Sequence, residues 1–114
     1  MGHLITERFE KLFEEYPIRS QQKKLDPLVI AKLYDNRSEA IWFLLEYDKE
    51  SKIALAYVTG ICLGEPGSVS MMWLESIVDP IQGHPRVHQD FNFIQKPLHA
   101  ALSEVLPLYP VLSN

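Results

Sequence analysis

Two apolar runs joined by a polar link decide the fold: IWFLLEY (residues 41–47), DKESK (48–52) and IALAYVTGICL (53–63). The link has the length and polarity of a hairpin connection, so the two runs are predicted to pair as antiparallel strands. Gly60 predicts a bend or bulge near the end of the second run. Large and small side chains alternate there, which leaves room for a helix on the face that carries Ala54, Ala56 and Val58.

The residues before this hairpin predict one more strand and one helix. Leu28 to Tyr34 is the strand, and the turn-forming DNRS (35–38) ends it. The preceding IRSQQKKLDP (18–27) is polar and aperiodic, which predicts a connecting loop. Thr6 is placed to cap a helix that Pro17 ends, and its apolar stripe consists of Leu4, Ile5, Phe9, Leu12, Phe13 and Tyr16.

The residues after the hairpin predict two strands and two helices. Ser68 to Ser70 forms a short strand, and its last serine caps a helix from Met71 to about Val78. An irregular linker rich in Gly and Pro (81–87) comes next, and Asp90 to Gln95 alternates polar and aromatic residues as a half-buried strand does. The last helix begins at Pro97 and carries the stripe Leu98, Ala101, Leu102, Val105 and Leu106.

Together these elements predict a single α+β domain over residues 1–114. Its antiparallel sheet has four to five strands, and the N-terminal and C-terminal helices pack on one face of that sheet. The apolar tail LYPVLSN (108–114) is expected to dock on its own domain or, alternatively, to act as a partner-binding strand.

Composition indicates an ordinary soluble, cytoplasmic protein. The chain has 114 residues, of which 46% are hydrophobic and 23% charged, and this balance suits one folded core. No apolar run approaches the roughly 20 residues that cross a bilayer, and charges come too early in MGHLITERFE for a secretory leader. The single cysteine, Cys62, rules out an internal disulfide and fits a reducing compartment.

The charges are unevenly distributed along the chain. Residues 1–26 hold five basic and five acidic residues, whereas residues 61–114 hold only Arg86 and Lys96 against five acidic ones. An acidic half would repel a phosphate backbone. Nucleic-acid binding, the second functional hypothesis, would therefore depend on the cluster of Arg19, Lys23 and Lys24.

A series of short motifs resembles a bacterial family of unknown function, number twenty-nine fifty-eight. Members of this family typically have a Trp followed by an acidic segment, then a turn and helix, then a charged segment with an aspartate and a phenylalanine. The resemblance covers about residues 4–98. The matching pieces are VIAKLYD (29–35), WFLLEYDKE (42–50), ALAYVTG (54–60), GEPGSVSMMWLES (64–76) and VHQDFNFIQKPL (87–98).

The resemblance implies a fold and a genetic setting rather than a reaction. Members are short single-domain proteins often encoded on plasmids, integrative elements and phages, and the family has no agreed activity to transfer. This chain departs from the pattern at two places. The usual Glu-Arg pair before the aspartate is His88-Gln89 here, and the usual aromatic residue after the turn glycine is Ser68. A function that needs the Glu-Arg pair would be missing from this chain.

No complete catalytic set stands out, and neither a catalytic residue nor a cofactor is assigned. Cys62 lies in an apolar strand without a basic neighbour that would lower its pKa, and Ser70 is explained as a helix cap. The sequence contains no phosphate-binding loop and no dinucleotide-binding glycine turn. A small metal-dependent hydrolase is the third hypothesis, with His84, His88 and Asp90 as the ligands.

The leading hypothesis is a non-enzymatic accessory protein of a mobile element that acts through protein–protein contact. It would be an inhibitor or adaptor of a nucleic-acid-handling or defence complex, attracted by the acidic half of the chain. Trp73 lies on its predicted helix opposite the apolar side formed by Leu74, Ile77 and Val78. It is expected either to be partly buried or to be exposed beside Met72, and an exposed Trp there could anchor a partner. The candidate contact residues are Glu65, Met72, Trp73, Glu75 and Asp90.

Overall fold

A computed structural model describes residues 2–60 and 66–105. Cys62, Glu65 and the tail from Leu106 onward lie outside the described residues, so the predictions made for them stay predictions. The elements in chain order are α1 (Glu7–Leu12), β1 (Leu28–Val29), β2 (Ala31–Asp35), β3 (Ile41–Asp48), β4 (Ile53–Thr59), β5 (Gly67–Ser70), α2 (Met71–Ser76), β6 (Val87–Gln89), β7 (Lys96–Pro97) and α3 (Leu98–Val105).

The described strands form a five-stranded antiparallel sheet in the order β5-β4-β3-β2-β6, and β1 and β7 pair separately as a small two-stranded sheet. The prediction of an α+β fold with four to five antiparallel strands is confirmed, and the β3–β4 hairpin lies at its centre. The strand predicted over Asp90–Gln95 is wrong. The last strand of the sheet is Val87–Gln89, whose pairing with β2 begins inside the linker that was expected to be irregular.

The two terminal helices pack on opposite faces of the sheet, which corrects the prediction of one shared face. β3 explains the difference because its central residues are buried on both sides. Trp42 and Leu44 join the core that contains Phe9 of α1, whereas Phe43 and Leu45 join the core that contains Ala101 of α3. A strand that is apolar on both faces needs a covering layer on each face.

The small residues of β4 lie where the sequence placed them, beside the N-terminal helix. Ala54 and Ala56 are fully buried in the same core as Phe9 and Phe13. The Oγ1 of Thr6 accepts the backbone N–H of Phe9 at 3.0 Å, so the predicted cap is confirmed. The helix itself ends at Leu12, earlier than the predicted end at Tyr16, and turns continue the chain.

None of the helices within residues 2–60 and 66–105 is both long and apolar enough to span a membrane.

Candidate interaction sites

Met72 and Trp73 form an exposed apolar pair on α2, called here the Met72–Trp73 patch. Their side chains are 62% and 58% exposed, whereas Met71 and Leu74 of the same helix are fully buried. Ser70 caps this helix, because its Oγ accepts the backbone N–H of Trp73 at 3.1 Å. The buried residues fix the helix to the core, so the helix presents Met72 and Trp73 to solvent at a defined position.

Glu75 points away from this patch toward the N-terminal segment. Its Oε2 accepts the backbone N–H of Ile5 at 2.6 Å and that of Leu4 at 3.0 Å. A Cβ placed on Gly2 would lie 2.3 Å from the Oε1 of Glu75, so the segment runs directly past the carboxylate. Glu75 therefore anchors the N-terminal segment to α2, and its Oε2 is already engaged within the chain.

Asp90 is also engaged within the chain. Its Oδ1 accepts the backbone N–H of Asn92 at 3.0 Å, and its Oδ2 lies 3.8 Å from the Nζ of Lys32. The backbone N–H of Asp90 donates to the carbonyl of Lys32 at 2.9 Å. These bonds fix the turn that follows β6, so the carboxylate of Asp90 is engaged within the chain and is not presented to a partner. Of the five predicted contact residues, Met72 and Trp73 are the exposed pair, and Glu65 lies outside the described residues.

The remaining acidic residues of the C-terminal half that the structure describes are paired as well. Asp79 Oδ2 accepts a hydrogen bond from the Nη2 of Arg37 at 2.8 Å, and Glu104 Oε2 accepts one from the Nζ of Lys96 at 2.5 Å. The backbone N–H groups of Ile81 and Gln82, and the Arg37 guanidinium, lower the pKa of Asp79. The acidic bias of the sequence does not therefore become an open acidic surface within these residues.

The loop between α1 and β1 carries Arg19, Lys23 and Lys24, all exposed. This loop is fixed by a buried carboxylate, since Glu46 is only 1% exposed and accepts the backbone N–H groups of Arg19 and Gln21, each at 2.7 Å. Arg19 adopts a φ of 81°, in the left-handed region that non-glycine residues seldom occupy. The bond to Glu46 holds this strained residue in place.

The side chain of Gln21 completes the clamp on the loop. Only 3% exposed, it donates to the carbonyls of Leu28 at 2.8 Å and Leu45 at 2.9 Å, and it accepts the N–H of Leu28 at 2.7 Å. Sequence reasoning missed both Glu46 and Gln21. The available signal was the single carboxylate at the end of the apolar run IWFLLEY, because a buried charge needs partners.

A β-bulge aims Glu46 at the loop. The pairing of β3 with β4 shifts between Leu44 and Glu46, which leaves Leu45 as an extra residue. Glu46 then pairs with Leu55, on the face of the sheet that carries α3. Without the extra residue the carboxylate would face the opposite core, which contains Phe9.

The proposed metal ligands do not converge. Within residues 2–60 and 66–105, no three His, Cys, Asp or Glu side chains lie together in a way that could hold a metal ion, and this includes His84, His88 and Asp90. The Nε2 of His88 instead lies 3.1 Å from the carbonyl of Pro85 and 3.3 Å from the Nδ2 of Asn36. The His88 ring is therefore occupied with its neighbours in the fold.

Glu10, Tyr47 and Lys52 form a cluster of ionisable side chains that resembles an acid–base site, but the pKa shifts of Glu10 and Tyr47 do not suit that role. Tyr47 Oη donates to Glu10 Oε2 at 2.6 Å, and Lys52 Nζ donates to the same oxygen at 2.7 Å. Burial and the hydrogen bond to Glu10 raise the pKa of Tyr47, whereas the bonds from Lys52 and Tyr47 lower the pKa of Glu10. Near neutral pH the phenol keeps its proton and the carboxylate stays ionised, so this cluster is a structural brace rather than a poised base and acid.

The fold and these surfaces define a small α+β protein that displays an apolar pair on a short helix and a clamped basic loop. The chain belongs to the family described as "Protein of unknown function (DUF2958)", whose pattern matches residues 4–104. The resemblance read from the short motifs is thereby confirmed. No protein of curated function and no solved structure matches this chain.

Proposed function

We propose that this protein is a non-enzymatic accessory protein that acts by binding another protein through the Met72–Trp73 patch. The observation that carries the proposal is the exposure of 62% for Met72 and 58% for Trp73 on a helix whose other face is fully buried. Large apolar side chains held in water cost free energy, and they contribute most to binding when a partner covers them.

The geometry of α2 suits an anchor because little order remains to be acquired on binding. Met71 and Leu74 fix the helix in the core, and the Ser70 cap fixes its first turn. A residue that is already positioned loses less conformational entropy when a partner binds. Trp is also the residue type most enriched at the energetic centres of protein interfaces.

The partner we propose is a nucleic-acid-handling or defence complex of a bacterial cytoplasm, on which this protein would act as inhibitor or adaptor. The genetic setting implied by the family resemblance, on plasmids, integrative elements and phages, supports this choice. Charge attraction is not the main support, because the described acidic residues of the C-terminal half, Glu75, Asp79, Asp90 and Glu104, already have partners within the chain. The apolar patch provides the contact instead.

The test compares capture of partners from host lysate by the wild type, by Trp73→Ala and by Ile94→Ala. Ile94 is 75% exposed and lies in the loop after β6, so it controls for the loss of an exposed apolar side chain elsewhere. We expect a stoichiometric partner that the wild type and Ile94→Ala retain and that Trp73→Ala loses, with unchanged thermal unfolding. Absence of any stoichiometric partner, or equal capture by Trp73→Ala, would refute the proposal.

Nucleic-acid binding by the basic loop is the alternative, and the exposure of Arg19, Lys23 and Lys24 on one clamped loop favours it. It predicts salt-dependent retention of the wild type on immobilised DNA or RNA, and loss of retention when all three become Glu. A wild type that is not retained at low salt would exclude this alternative.

A further inference from the structure

A groove of about 680 Å³ lies beside the clamped loop, on the face of the sheet that carries α3. The loop residues Ile18 and Leu25, together with Leu55 of β4 and Leu98 of α3, give it apolar walls. Leu25 is fully exposed, at 103% of its reference area. An aliphatic side chain in that state on a fixed loop offers apolar contact to whatever enters the groove.

The same groove carries positive charge at its edge. Arg19 and Lys24 line it, both side chains are exposed, and neither takes part in an ion pair with a described residue. Glu46 is the one carboxylate among the described lining residues, and it is buried with both oxygens occupied by backbone N–H groups. The charge that the described lining residues present to solvent is therefore cationic.

The loop that forms one wall is built before any ligand arrives. The Glu46 and Gln21 clamp holds it to the sheet, and Arg19 stays in a left-handed conformation that the clamp stabilises. A strained backbone supported by a buried polar network is typical of a site whose geometry matters. A fixed wall also reduces the entropic cost of binding.

We infer that this groove is a docking site for an acidic peptide segment of a partner protein, one in which Asp or Glu residues stand next to aliphatic residues. A carboxylate would pair with Arg19 or Lys24, since charge-assisted hydrogen bonds to guanidinium and ammonium groups are the strong ones. The flanking aliphatic side chains would cover Leu25, Leu55 and Leu98. Charge and apolar surface together thus select the occupant.

A nucleic acid fits the same groove less well. Single-stranded binding sites stack bases on aromatic side chains, and the described lining residues include no Phe, Tyr, Trp or His. Two cations, Arg19 and Lys24, would neutralise few phosphates. Lys23, the third member of the basic cluster, does not line the groove. This difference between Lys23 and Lys24 separates the two classes of ligand experimentally.

The groove shares no residue with the Met72–Trp73 patch, so the inference does not rest on the proposed function. Its test is selection from a random peptide library displayed on phage, using the full-length protein. Synthetic versions of the enriched peptides and a fluorescent poly(dT) oligonucleotide are then titrated against the wild type, Lys24→Glu, Arg19→Asn and Lys23→Glu. Asn tolerates the left-handed conformation at position 19, and Lys23→Glu changes the net charge as Lys24→Glu does.

The expected result is enrichment of peptides that combine Asp or Glu with Leu, Ile, Val or Met. Lys24→Glu and Arg19→Asn should each weaken their binding by about tenfold, whereas Lys23→Glu should change it by less than about twofold. Hydrogen exchange on the wild type should show that the peptide protects residues 18–27, which gives a readout independent of any variant's folding.

Three results would overturn the inference. The first is no enrichment of acidic, aliphatic peptides. The second is equal weakening by Lys23→Glu and Lys24→Glu, which would indicate attraction to the loop charge as a whole. The third is tighter binding of poly(dT) than of the enriched peptides, which would assign the loop to nucleic acid instead.

Discussion

The Oε2 of Glu75 accepts the backbone N–H of Ile5 at 2.6 Å, which joins two positions 70 residues apart in the chain. The same oxygen accepts the N–H of Leu4 at 3.0 Å. The segment that precedes α1 is therefore held to α2 by one carboxylate, while Leu4 and Ile5 bury their side chains in the core. A residue that the sequence assigned to a contact surface is in this way a link between the N-terminal segment and α2.

Glu75→Gln should lower the free energy of unfolding by about 1–3 kcal/mol, because the neutral amide loses the charge that strengthens both bonds to this oxygen. Chemical denaturation measures this change, and hydrogen exchange at Leu4 and Ile5 locates it. Glu14→Gln is the matched control, since Glu14 is exposed and its carboxylate accepts no hydrogen bond from a described residue. A change below about 0.5 kcal/mol for Glu75→Gln would contradict the anchoring role.

Glu46→Gln should destabilise the protein by a similar amount, about 1–3 kcal/mol, because the amide N–H₂ would face a backbone donor. Hydrogen exchange should show lost protection at Arg19 and Gln21, whose N–H groups are bonded to the carboxylate. Glu50→Gln, in the exposed β3–β4 turn, is the control and should leave this loop unchanged. Full protection of the loop in Glu46→Gln would show that other contacts hold it.

The bonds to Glu10 predict a specific dependence of stability on pH. The hydrogen bonds from Lys52 and Tyr47 lower the pKa of Glu10 from its ordinary value of 4.5. A carboxyl group whose pKa is lower in the folded state stabilises the fold fully above its unfolded-state pKa and loses that effect as pH falls through its folded-state pKa.

Glu10→Gln should therefore be less stable than the wild type at neutral pH, by about 1 kcal/mol, and the difference should shrink as the pH falls below about 4.5. Thermal unfolding of both proteins between neutral and acidic pH checks this. Glu14→Gln again serves as the control. A difference that stays constant or grows on acidification would refute the assignment.

Three glycines offer a graded test of backbone geometry. Gly60 has a φ of 86°, and a Cβ there would lie 2.0 Å from the carbonyl oxygen of Glu39. Gly83 has a φ of 75° with open space around it, whereas Gly67 has neither constraint. Substitution by Ala should lower the free energy of unfolding by about 1–2 kcal/mol at Gly83, from the left-handed conformation alone. The loss should be larger at Gly60. At Gly67 the free energy of unfolding should change by less than about 1 kcal/mol.

The order of the three midpoints of denaturation is the measurement for this series. If Gly60→Ala is as stable as Gly67→Ala, the bend after β4 relaxes without a cost in free energy. Equal losses at Gly60 and Gly83 would mean that Glu39 moves aside and leaves only the conformational strain.

Local signals in the sequence were sufficient for the elements whose residues interact mainly with near neighbours. The β3–β4 hairpin follows from two apolar runs and a short polar link, and the caps at Thr6 and Ser70 follow from side chains that bond the backbone three residues later. The family resemblance was also readable, since it rests on short motifs in order along the chain.

The strand near residue 90 shows where local pattern fails. Phe91 and Phe93 alternate with polar residues as in a half-buried strand, yet the chain pairs with β2 at Val87–Gln89 and turns at Asp90. Pairing is decided by the partner strand, and alternation alone does not specify which residues find one. Phe91 lies in that turn and is 61% exposed instead of half-buried in a strand.

The sequence by itself determined the α+β class, the central hairpin and the capped helices, because propensity, periodicity and capping act over a few residues. Only the tertiary structure decided that the terminal helices cover opposite faces, that Glu75 and Asp90 bind within the chain, and that Glu46 and Gln21 clamp the basic loop. Those outcomes depend on a bulge at Leu45 and on bonds between residues 25 to 71 positions apart, such as those from Glu46 to Gln21 and from Glu75 to Leu4. Such contacts exist only once the sheet has set its register, and no local pattern encodes them.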